Sequence, residues 1–295
     1  MKPAPFRYAR PNTLADAVGL LTAGDHDVKI LAGGQSLVPM LNLRLVRPAV
    51  LVDLNGVPGL DRIIASPAGG LTIGALVRHA ALAQAPLVVE RAPLLAEAAR
   101  HVGHAAIRHR GTLGGSLAHA DPAAELPAAL VALDAEFVLH GPGGERAVPA
   151  SEFFLGLMTT ALAPDEILIE IRVPPQAPGW GFAEVARRAG DFALAGVVAL
   201  LGQRAGSSGR AGFIRLVGFG VGDRPVRFVG AEETLMTQSG DPLAAVVRGA
   251  AGVAGECEPP DDVHASADYR RHLAVVLTED AVRQALARLD GAGRT

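Results

Sequence analysis

Residues 28–36 of this 295-residue chain read Val28-Lys29-Ile30-Leu31-Ala32-Gly33-Gly34-Gln35-Ser36. Three of the first four residues are apolar and two of those are β-branched, which predicts a short buried strand, and the glycine pair that follows predicts a sharp change of direction. Because Gly33 and Gly34 lack a Cβ, their backbone can approach an anion, and successive N–H groups can converge on phosphate oxygens. Ser36 opens a predicted helical turn that begins at Leu37, and its N-terminal dipole favours the same anion. The stretch therefore predicts a strand–loop–helix unit that binds phosphate.

A second segment has the same composition and reads Gly111-Thr112-Leu113-Gly114-Gly115-Ser116. It also combines paired glycines with hydroxyl side chains that can donate to phosphate oxygens. Two such segments on one chain suit a diphosphate that is held from two sides. Ordinary tight turns remain the alternative, because the chain contains 35 glycines. Neither segment fits the G-x-G-x-x-G fingerprint, so a Rossmann dinucleotide site is not predicted.

Strand and helix patterns alternate through the first half of the chain, up to the prolines at 174–175 and 178. The predicted strands there are Val28–Leu31, Val50–Leu54, Asp61–Ala65, Gly70–Leu76, Phe137–His140 and Glu166–Val173. The predicted helices are Leu14–Leu21, which Thr13 caps and Gly24 ends, Pro93–His101 and Ala124–Leu133. After the prolines come strands Phe182–Arg187, Leu194–Leu201 and Phe213–Phe219, and then helices Glu232–Thr237, Leu243–Val253 and Ala267–Leu289, the last capped by Ser266. The pattern predicts an α+β N-terminal region followed by a smaller α+β domain with an antiparallel sheet.

The composition excludes several classes of function. Hydrophobic residues make up 49% of the chain and charged residues 19%, which is typical of a soluble globular protein. A net charge of -3 and an aromatic content of 4% argue against nucleic-acid binding. No apolar run is long enough for a membrane span or suited to a signal peptide, so a cytoplasmic location is predicted. The single cysteine, Cys257, cannot by itself hold an iron–sulfur cluster or a structural zinc ion, so any metal redox centre is expected on another chain.

Two other chemistries are weighed and not favoured. Four histidines crowd residues 101–119, but the i, i+3 spacing of His101 and His104 suits a shared metal ion poorly, and histidines that line the glycine segment are the preferred interpretation. The run Gly114–Ala118 is one residue away from the G-x-S-x-G nucleophile elbow, but Asp121 and Pro122 follow too soon for the long helix that an elbow requires. No metal site and no catalytic acid, base or nucleophile is therefore predicted on this chain.

The segment after the second glycine motif carries two carboxylates four residues apart, Asp121 and Glu125. Asp121 can cap a helix that Pro122 begins. Alternatively, either carboxylate can accept hydrogen bonds from the ribose or ring groups of a bound cofactor.

Taken together, these motifs resemble the medium, flavoprotein subunit of aerobic carbon monoxide dehydrogenase and its relatives in the xanthine dehydrogenase (molybdenum hydroxylase) family. The resemblance extends over essentially the whole chain. The stretches that carry it are Phe6-Arg7-Tyr8 with Pro11, Ala32 to Met40, Leu43-Arg44, Ile73-Gly74-Ala75, Arg108 to Ser116, Ala120 to Pro127 and Arg188 to Ala193. It implies a vanillyl-alcohol-oxidase or PCMH-type FAD-binding domain over residues 1–176, with α/β subdomains of about 1–57 and 58–176. Residues 177–295 would form a domain like the C-terminal domain of the carbon monoxide dehydrogenase flavoprotein.

The resemblance also implies which residues contact the FAD. Both glycine segments fall where the family binds the FAD diphosphate and its neighbourhood, and Phe192 falls where a C-terminal-domain aromatic approaches the isoalloxazine in some relatives. The residues that it implies are Ala32, Gly33, Gly34, Gln35, Ser36, Leu37, Gly111, Thr112, Leu113, Gly114, Gly115, Ser116, Ala120, Asp121, Glu125, Asp134, Ile167 and Phe192.

Three departures from the family pattern matter. Gln35 stands where many relatives have His, and because Gln offers no nucleophile for covalent attachment, dissociable FAD is expected. Glu125 stands where several relatives have Asp, which lengthens the reach of the carboxylate. The cysteine-bearing insertion of the benzoyl-CoA reductase branch is absent, in agreement with the lone Cys257.

The implied function is electron transfer. In the family, a large subunit hydroxylates substrate at a molybdenum–pterin centre, and electrons pass through [2Fe-2S] clusters of a small subunit to FAD and then to an external acceptor. The implied assembly is a dimer of heterotrimers, a heterohexamer. A stand-alone flavin oxidase or reductase of the same fold, and a subunit that has lost FAD, remain alternatives.

Overall fold

The computed structural model describes residues 2–23, 27–203, 211–237 and 242–292. The predicted end of the first helix at Gly24 lies outside these residues. None of the helices in the described residues combines the length and the apolar character that a membrane crossing requires.

The first part of the chain forms a three-stranded parallel sheet with the order β1-β3-β2. Its elements are β1 (Arg7–Ala9), α1 (Leu14–Thr22), β2 (Val28–Leu31), α2 (Leu37–Asn42) and β3 (Val50–Asp53). Thr13 caps α1 as predicted, since its Oγ1 accepts a hydrogen bond from the N–H of Asp16 at 3.1 Å. The sheet and α1 bury a small core around Val52 and Ala17. Since β2 ends directly at Ala32, this core fixes the start of the first glycine segment.

The second part is built on a five-stranded antiparallel sheet with the order β4-β5-β10-β6-β7. Its elements are β4 (Ile63–Ala65), β5 (Leu71–Gly74), α3 (His79–Gln84), α4 (Pro86–Arg91), α5 (Pro93–His101), α6 (Ala105–Arg110), α7 (Leu113–His119), α8 (Glu125–Ala132), β6 (Glu136–Gly141), β7 (Gly144–Pro149), α9 (Ala150–Phe153), β8 (Phe154–Gly156), β9 (Thr159–Thr160) and β10 (Ile167–Val173). The helices between β5 and β6 cover one face of the sheet, and α8 is buried along its whole length.

Two alternatives that the sequence left open for this region do not hold in the structure. The second glycine segment is not a tight turn, because Thr112 is the N-cap of α7 and Gly114 and Gly115 lie within its first turn. Asp121 does not cap a helix that starts at Pro122, because α8 starts at Glu125. Asp121 Oδ1 instead accepts a hydrogen bond from the N–H of Ala123 at 2.9 Å and closes a local turn.

The third part is a four-stranded antiparallel sheet with the order β11-β12-β13-β14, followed by helices. Its elements are β11 (Gly179–Ala186), β12 (Ala193–Gln203), β13 (Ala211–Phe219), β14 (Val226–Arg227), α10 (Val229–Thr237), α11 (Pro242–Val253) and α12 (Ala267–Ala292). Helix α12 packs closely on β11, since a Cβ added at Gly181 would overlap the carbonyl oxygen of Ala281. The predicted cap at Ser266 is confirmed, because its Oγ accepts from the N–H of Tyr269 at 3.2 Å.

Both faces of this last sheet are buried. One face packs on α12 and carries Val197 and Leu201. The other face packs on the N-terminal half, so that Phe182 and Phe219 belong to the same core as Leu126 of α8. The two halves of the chain therefore share one hydrophobic core, and any cleft between them has rigid walls. The predicted α+β fold class is confirmed.

Candidate functional site

The two glycine segments lie against each other. A Cβ added at Gly33 would overlap the carbonyl oxygen of Arg110 and would lie 2.8 Å from the Cα of Gly111. A Cβ added at Gly115 would lie 3.8 Å from the Cβ of Ala32. Segments that are about 80 residues apart in the sequence therefore meet with their backbones in contact.

The first segment offers free hydrogen-bond donors. Within residues 2–23, 27–203, 211–237 and 242–292, no acceptor is found for the backbone N–H groups of Gly33 to Leu37 or for the hydroxyl group of Ser36. Gly34 has φ +75°, which an L side chain rarely adopts, so glycine is required there by conformation. An open cleft of about 370 Å³ borders this segment and is lined by Leu31, Gly33, Gly34, Gln35, Val38, Pro39 and Arg110. Free amides beside a cleft suit an anionic ligand.

In the second segment most amides already donate within the protein, and among the described residues the N–H of Thr112 is the one without an acceptor, so fewer donors are available here than a complete phosphate-binding nest would supply. The N–H of Gly114 donates to the oxygen of Ala75 at 2.8 Å, and the N–H of Gly115 donates to Thr112 Oγ1 at 3.2 Å. The N–H groups of Leu113 and Ser116 also donate within the protein. Thr112 is buried and uses its hydroxyl oxygen as a helix cap, so the Ser116 hydroxyl is the half-buried group of this segment that stays available.

Gly111 and Gly114 of the second segment are required because neighbouring residues of the protein leave no space for a side chain. A Cβ at Gly111 would lie 2.8 Å from Nδ1 of His79, and a Cβ at Gly114 would lie 2.5 Å from that of Ala75. His79 holds this segment from two sides, because its backbone N–H donates to the oxygen of Gly111 at 3.1 Å and its Nε2 lies 2.8 Å from the oxygen of Thr112. The neutral tautomer with a proton on Nε2 satisfies the second contact.

His79 makes the stability of the fold sensitive to acid. Burial lowers the pKa of His79 to about 4, from 6.5 in an exposed histidine. Between these two values the unfolded chain binds a proton that the folded chain does not, so stability falls as the pH falls from 6.5 to 4, by about 3 kcal/mol. Urea unfolding of the cofactor-free chain at pH 7 and pH 4.5 measures this loss.

The variant His79→Gln separates this effect from the titration of other groups. Glutamine keeps an N–H donor for the oxygen of Thr112 but does not titrate, so the part of the pH dependence that comes from His79 is expected to disappear. His109→Gln is the matched control, because the side chain of His109 is exposed. An unchanged acid dependence in His79→Gln would contradict the assignment.

A larger cleft of about 790 Å³ lies between the two halves of the chain. Asp121 and His104 line it from the N-terminal half, and Phe192 lines it from the β11–β12 connection. The Phe192 side chain is 71% exposed, which is unusual for phenylalanine. The cleft is wide and mainly apolar, which suits a planar ring system.

Glu125 lies in a buried acidic cluster at the same boundary. Its side chain is 7% exposed, and burial raises its pKa to about 8, with further contributions from Glu184 and Asp121. Oε1 of Glu184 lies 3.2 Å from Nδ1 of His101, whose Nε2 lies 3.3 Å from Oε1 of Glu97. These two contacts raise the pKa of His101, the contact with Glu184 having the larger effect. His101 therefore joins α5 of the N-terminal half to β11 of the C-terminal half.

Three further residues that were expected to contact FAD, Asp134, Ile167 and Ala120, do not line either cleft. Asp134 has φ +53° and forms an ion pair with Arg215 of β13, whose Nη1 also donates to the oxygen of Ala132 at 2.6 Å. Ile167 is buried in the core of the parallel sheet, and Ala120 ends α7 in a left-handed conformation. The structure thus brings both glycine segments together and uses the side chains of Asp134 and Ile167 for packing and pairing.

The crowded histidines do not form a metal centre in the part of the chain that the structure describes, where no group of three or more His, Cys, Asp or Glu side chains is placed to hold an ion. Each of two histidines has a different role: His101 pairs with carboxyl groups, and His104 packs against Gly190.

Sequence reasoning missed Asn55, Arg78 and His79, which contact the backbone of the two glycine segments. A position directly after a buried strand is the one signal that could have identified Asn55, because ligand sites often form at strand ends. Nothing local in the sequence marks Arg78 or His79, since their partners lie more than 20 residues away.

Comparison with known proteins identifies the family. The FAD binding domain in molybdopterin dehydrogenase matches residues 4–176, and the CO dehydrogenase flavoprotein C-terminal domain matches residues 180–285. The chain belongs to this flavoprotein family. The predicted resemblance and the predicted cofactor, FAD, are confirmed at the level of the family.

Relatives of this flavoprotein subunit align with it over nearly their whole length. It is 40% identical to the 6-hydroxypseudooxynicotine dehydrogenase complex subunit alpha of Paenarthrobacter nicotinovorans, over 98% of this chain and 97% of the relative. The solved carbon monoxide dehydrogenase of Hydrogenophaga pseudoflava contains a chain that is 38% identical, with a TM-score of 0.92 and coverage of 98% and 99%. Quinoline 2-oxidoreductase of Pseudomonas putida 86 matches with a TM-score of 0.92 and 37% identity, over 98% and 99% of the two chains. The flavoprotein subunit is thus part of an oxidoreductase.

The residues present fit the family's cofactor. The free amides of the first segment and the cleft beside them suit a diphosphate, and the apolar cleft between the halves suits a flavin ring.

Proposed function

We propose that this flavoprotein subunit transfers electrons from [2Fe-2S] clusters of a small partner subunit, through FAD, to an external acceptor. A large molybdopterin-binding subunit would carry the substrate chemistry, and two heterotrimers would form the complete enzyme. The observation that carries the proposal is the contact between the two glycine segments at a cleft with free amide donors. A cytoplasmic location belongs to the same proposal.

The single cysteine supports a division of labour between chains. Cys257 is 4% exposed, and burial raises the pKa of its thiol to about 12. A buried, protonated thiol is a poor metal ligand, and one cysteine cannot hold a [2Fe-2S] cluster in any case. The clusters that deliver electrons would therefore lie on another subunit.

The proposed FAD site combines residues that border the two clefts with residues next to them in the chain or in the fold. The amides of Gly33 to Leu37 and the hydroxyls of Ser36 and Ser116 would bind the diphosphate and its neighbourhood. Asp121 and Phe192, which line the larger cleft, would contact the ring and ribitol part, and Glu125 would act from its buried position close to Asp121. Asp134 and Ile167 are left out of this set, because their side chains are occupied elsewhere.

When bound, FAD supplies the capacity to accept electrons singly and to release them singly or in pairs. The residues of this chain bind and orient that group. The buried walls of the larger cleft exclude water from one side, and Glu125, which its surroundings keep protonated at neutral pH, can donate a hydrogen bond from its carboxyl group. This role needs no nucleophile and no catalytic base.

Two measurements test the proposal. The purified chain is expected to bind FAD noncovalently, so its visible flavin absorption should be lost on acid precipitation and appear in the supernatant. Rapid mixing with a reduced [2Fe-2S] subunit should bleach the flavin, whereas mixing with the large subunit alone should not. A chain that binds no FAD would overturn the proposal.

The same experiment addresses a stand-alone flavin oxidase or reductase. Such an enzyme would turn over a small substrate with an electron acceptor in the absence of partner subunits. Turnover by the isolated chain would replace the electron-transfer proposal with this one.

A further inference from the structure

The amide-lined cleft has one charged side chain in its lining. Among the described residues that border the 370 Å³ cleft, Arg110 alone carries a charge. Its side chain is exposed, and within the described parts of the chain its guanidinium has no hydrogen-bond or ion-pair partner. An unpaired guanidinium beside free amides is complementary to a doubly charged diphosphate.

A brace of two side chains holds the backbone of Arg110 next to the first glycine segment. The guanidinium of Arg78 donates to the carbonyl oxygen of Arg110 and, at 2.5 Å, to Oδ1 of Asn55. Nδ2 of Asn55 donates to the carbonyl oxygen of Ala32 at 2.9 Å. The brace therefore links Ala32 in one segment to Arg110 at the start of the other.

The brace is itself anchored. The backbone of Arg78 forms a β-bridge with Thr112, and the N–H of Asn55 donates to Oδ1 of Asp53 at 2.9 Å. Asp53 Oδ2 also accepts a hydrogen bond from the hydroxyl of Tyr8 at 2.5 Å. Because both ends are fixed, Asn55 and Arg78 reinforce the direct backbone contact that holds the two segments together.

We propose that Arg110 binds the diphosphate of FAD directly, and that Asn55 and Arg78 are positioning residues for it. This inference rests on the proposed FAD-binding function. The amides of residues 33–37 supply directional donors, and Arg110 supplies the full positive charge. Burial, together with the neighbouring charge of Arg110, lowers the pKa of Arg78, which agrees with two cations held close together to meet an anion.

Titration of the full-length, cofactor-free chain with FAD and with riboflavin tests the contact. Riboflavin carries the same ring without the diphosphate. Arg110→Ala is expected to weaken FAD binding roughly ten- to hundredfold, to leave riboflavin binding unchanged and to reduce the salt dependence of FAD binding. Arg110→Lys should recover part of the loss, because it restores the charge without the bidentate geometry. Arg283→Ala, which removes another exposed cation, from α12, is the control and should bind FAD as the wild type does.

The positioning role has its own readout. Arg78→Gln is expected to weaken FAD binding and its salt dependence, each by less than Arg110→Ala does, and to leave riboflavin binding unchanged. Because Arg78 acts through Arg110, the effects of the two substitutions should not add. Unchanged FAD binding in Arg110→Ala, or an equal loss of FAD and riboflavin, would overturn the assignment of Arg110 while leaving the FAD site intact. Additive effects would overturn the role of Arg78. A wild-type chain that binds riboflavin and FAD equally would refute a diphosphate contact altogether, whereas a chain that binds neither would refute the proposed function itself.

Discussion

Gly33→Ala is expected to weaken FAD binding by at least ~1,000-fold. The added methyl group would overlap the carbonyl oxygen of Arg110 and approach the Cα of Gly111, and both are backbone atoms that cannot rotate away. The two glycine segments must then separate, which displaces the free amides of residues 33–37 from any ligand that they share with the second segment. Titration with FAD, followed by the quenching of flavin fluorescence, measures the loss.

Gly143→Ala is the matched control for this substitution. Gly143 lies in the turn between β6 and β7, where an added Cβ has no atom within 4 Å. FAD binding should be the same as in the wild type. Circular dichroism of Gly33→Ala should still show the helices of the C-terminal half, which lie away from position 33. Wild-type affinity in Gly33→Ala would mean that the contact between the segments is irrelevant to the cofactor.

In the cofactor-free chain, Glu125→Gln is expected to remove a large decrease in the free energy of unfolding that occurs as the pH rises from 4.5 to 8. The pKa of Glu125 is about 8 in the folded chain, against 4.5 when unfolded. Between these values the unfolded chain releases the proton that the folded chain retains, so stability falls as the pH rises from 4.5 to 8, by roughly 3–5 kcal/mol. Glutamine has nearly the same shape and does not ionise, so the variant should be more stable than the wild type at pH 8 and similar to it at pH 4.5.

Urea unfolding at pH 5, 6.5 and 8 compares the two proteins, with Glu90→Gln as the control. The Glu90 side chain is 72% exposed, so its removal should leave the alkaline slope unchanged. If the wild type and Glu125→Gln lost stability in parallel between pH 5 and pH 8, Glu125 would have to be ionised and well solvated in the folded chain.

The sequence predicts an element well where local signals and tertiary packing agree. Val28–Leu31 and Pro93–His101 have the predicted bounds, because the first is an apolar run closed by glycines and the second starts with proline in the first helical turn. Helix α7 could not be predicted, because paired glycines disfavour a helix. The helix forms since Gly114 must pack on Ala75, a contact that tertiary structure alone specifies.

The helix cap that the sequence allowed for Asp121 is absent for the same reason. Proline at 122 is a good first residue for a helix, but the carbonyl oxygen of Pro122 accepts a hydrogen bond from the N–H of Gly220 at 2.8 Å, in the C-terminal half. That contact holds residues 122–124 out of the helix. A residue whose partner is almost 100 positions away carries no local signal of it.

For the candidate site, the residue types predicted that the two glycine segments meet, but they did not predict which backbone amides are free. Two glycine segments with hydroxyl side chains pointed to one phosphate ligand, and the folded chain puts the two segments in contact. Which of the two segments keeps its N–H groups free for a ligand could not be predicted from the sequence. Apart from the N–H of Thr112, the amides of the second segment already donate within the protein, so most of the free donors come from the first segment.

The core that the two halves share limits how the larger cleft can admit a flavin ring. Opening it by a hinge would pull Phe182 and Phe219 away from Leu126 and wet three large apolar side chains. That cost, on the order of several kcal/mol, keeps the separated state to a very small fraction of the molecules. We therefore expect the proposed flavin ring to enter past the exposed side chain of Phe192 while the two halves stay packed together.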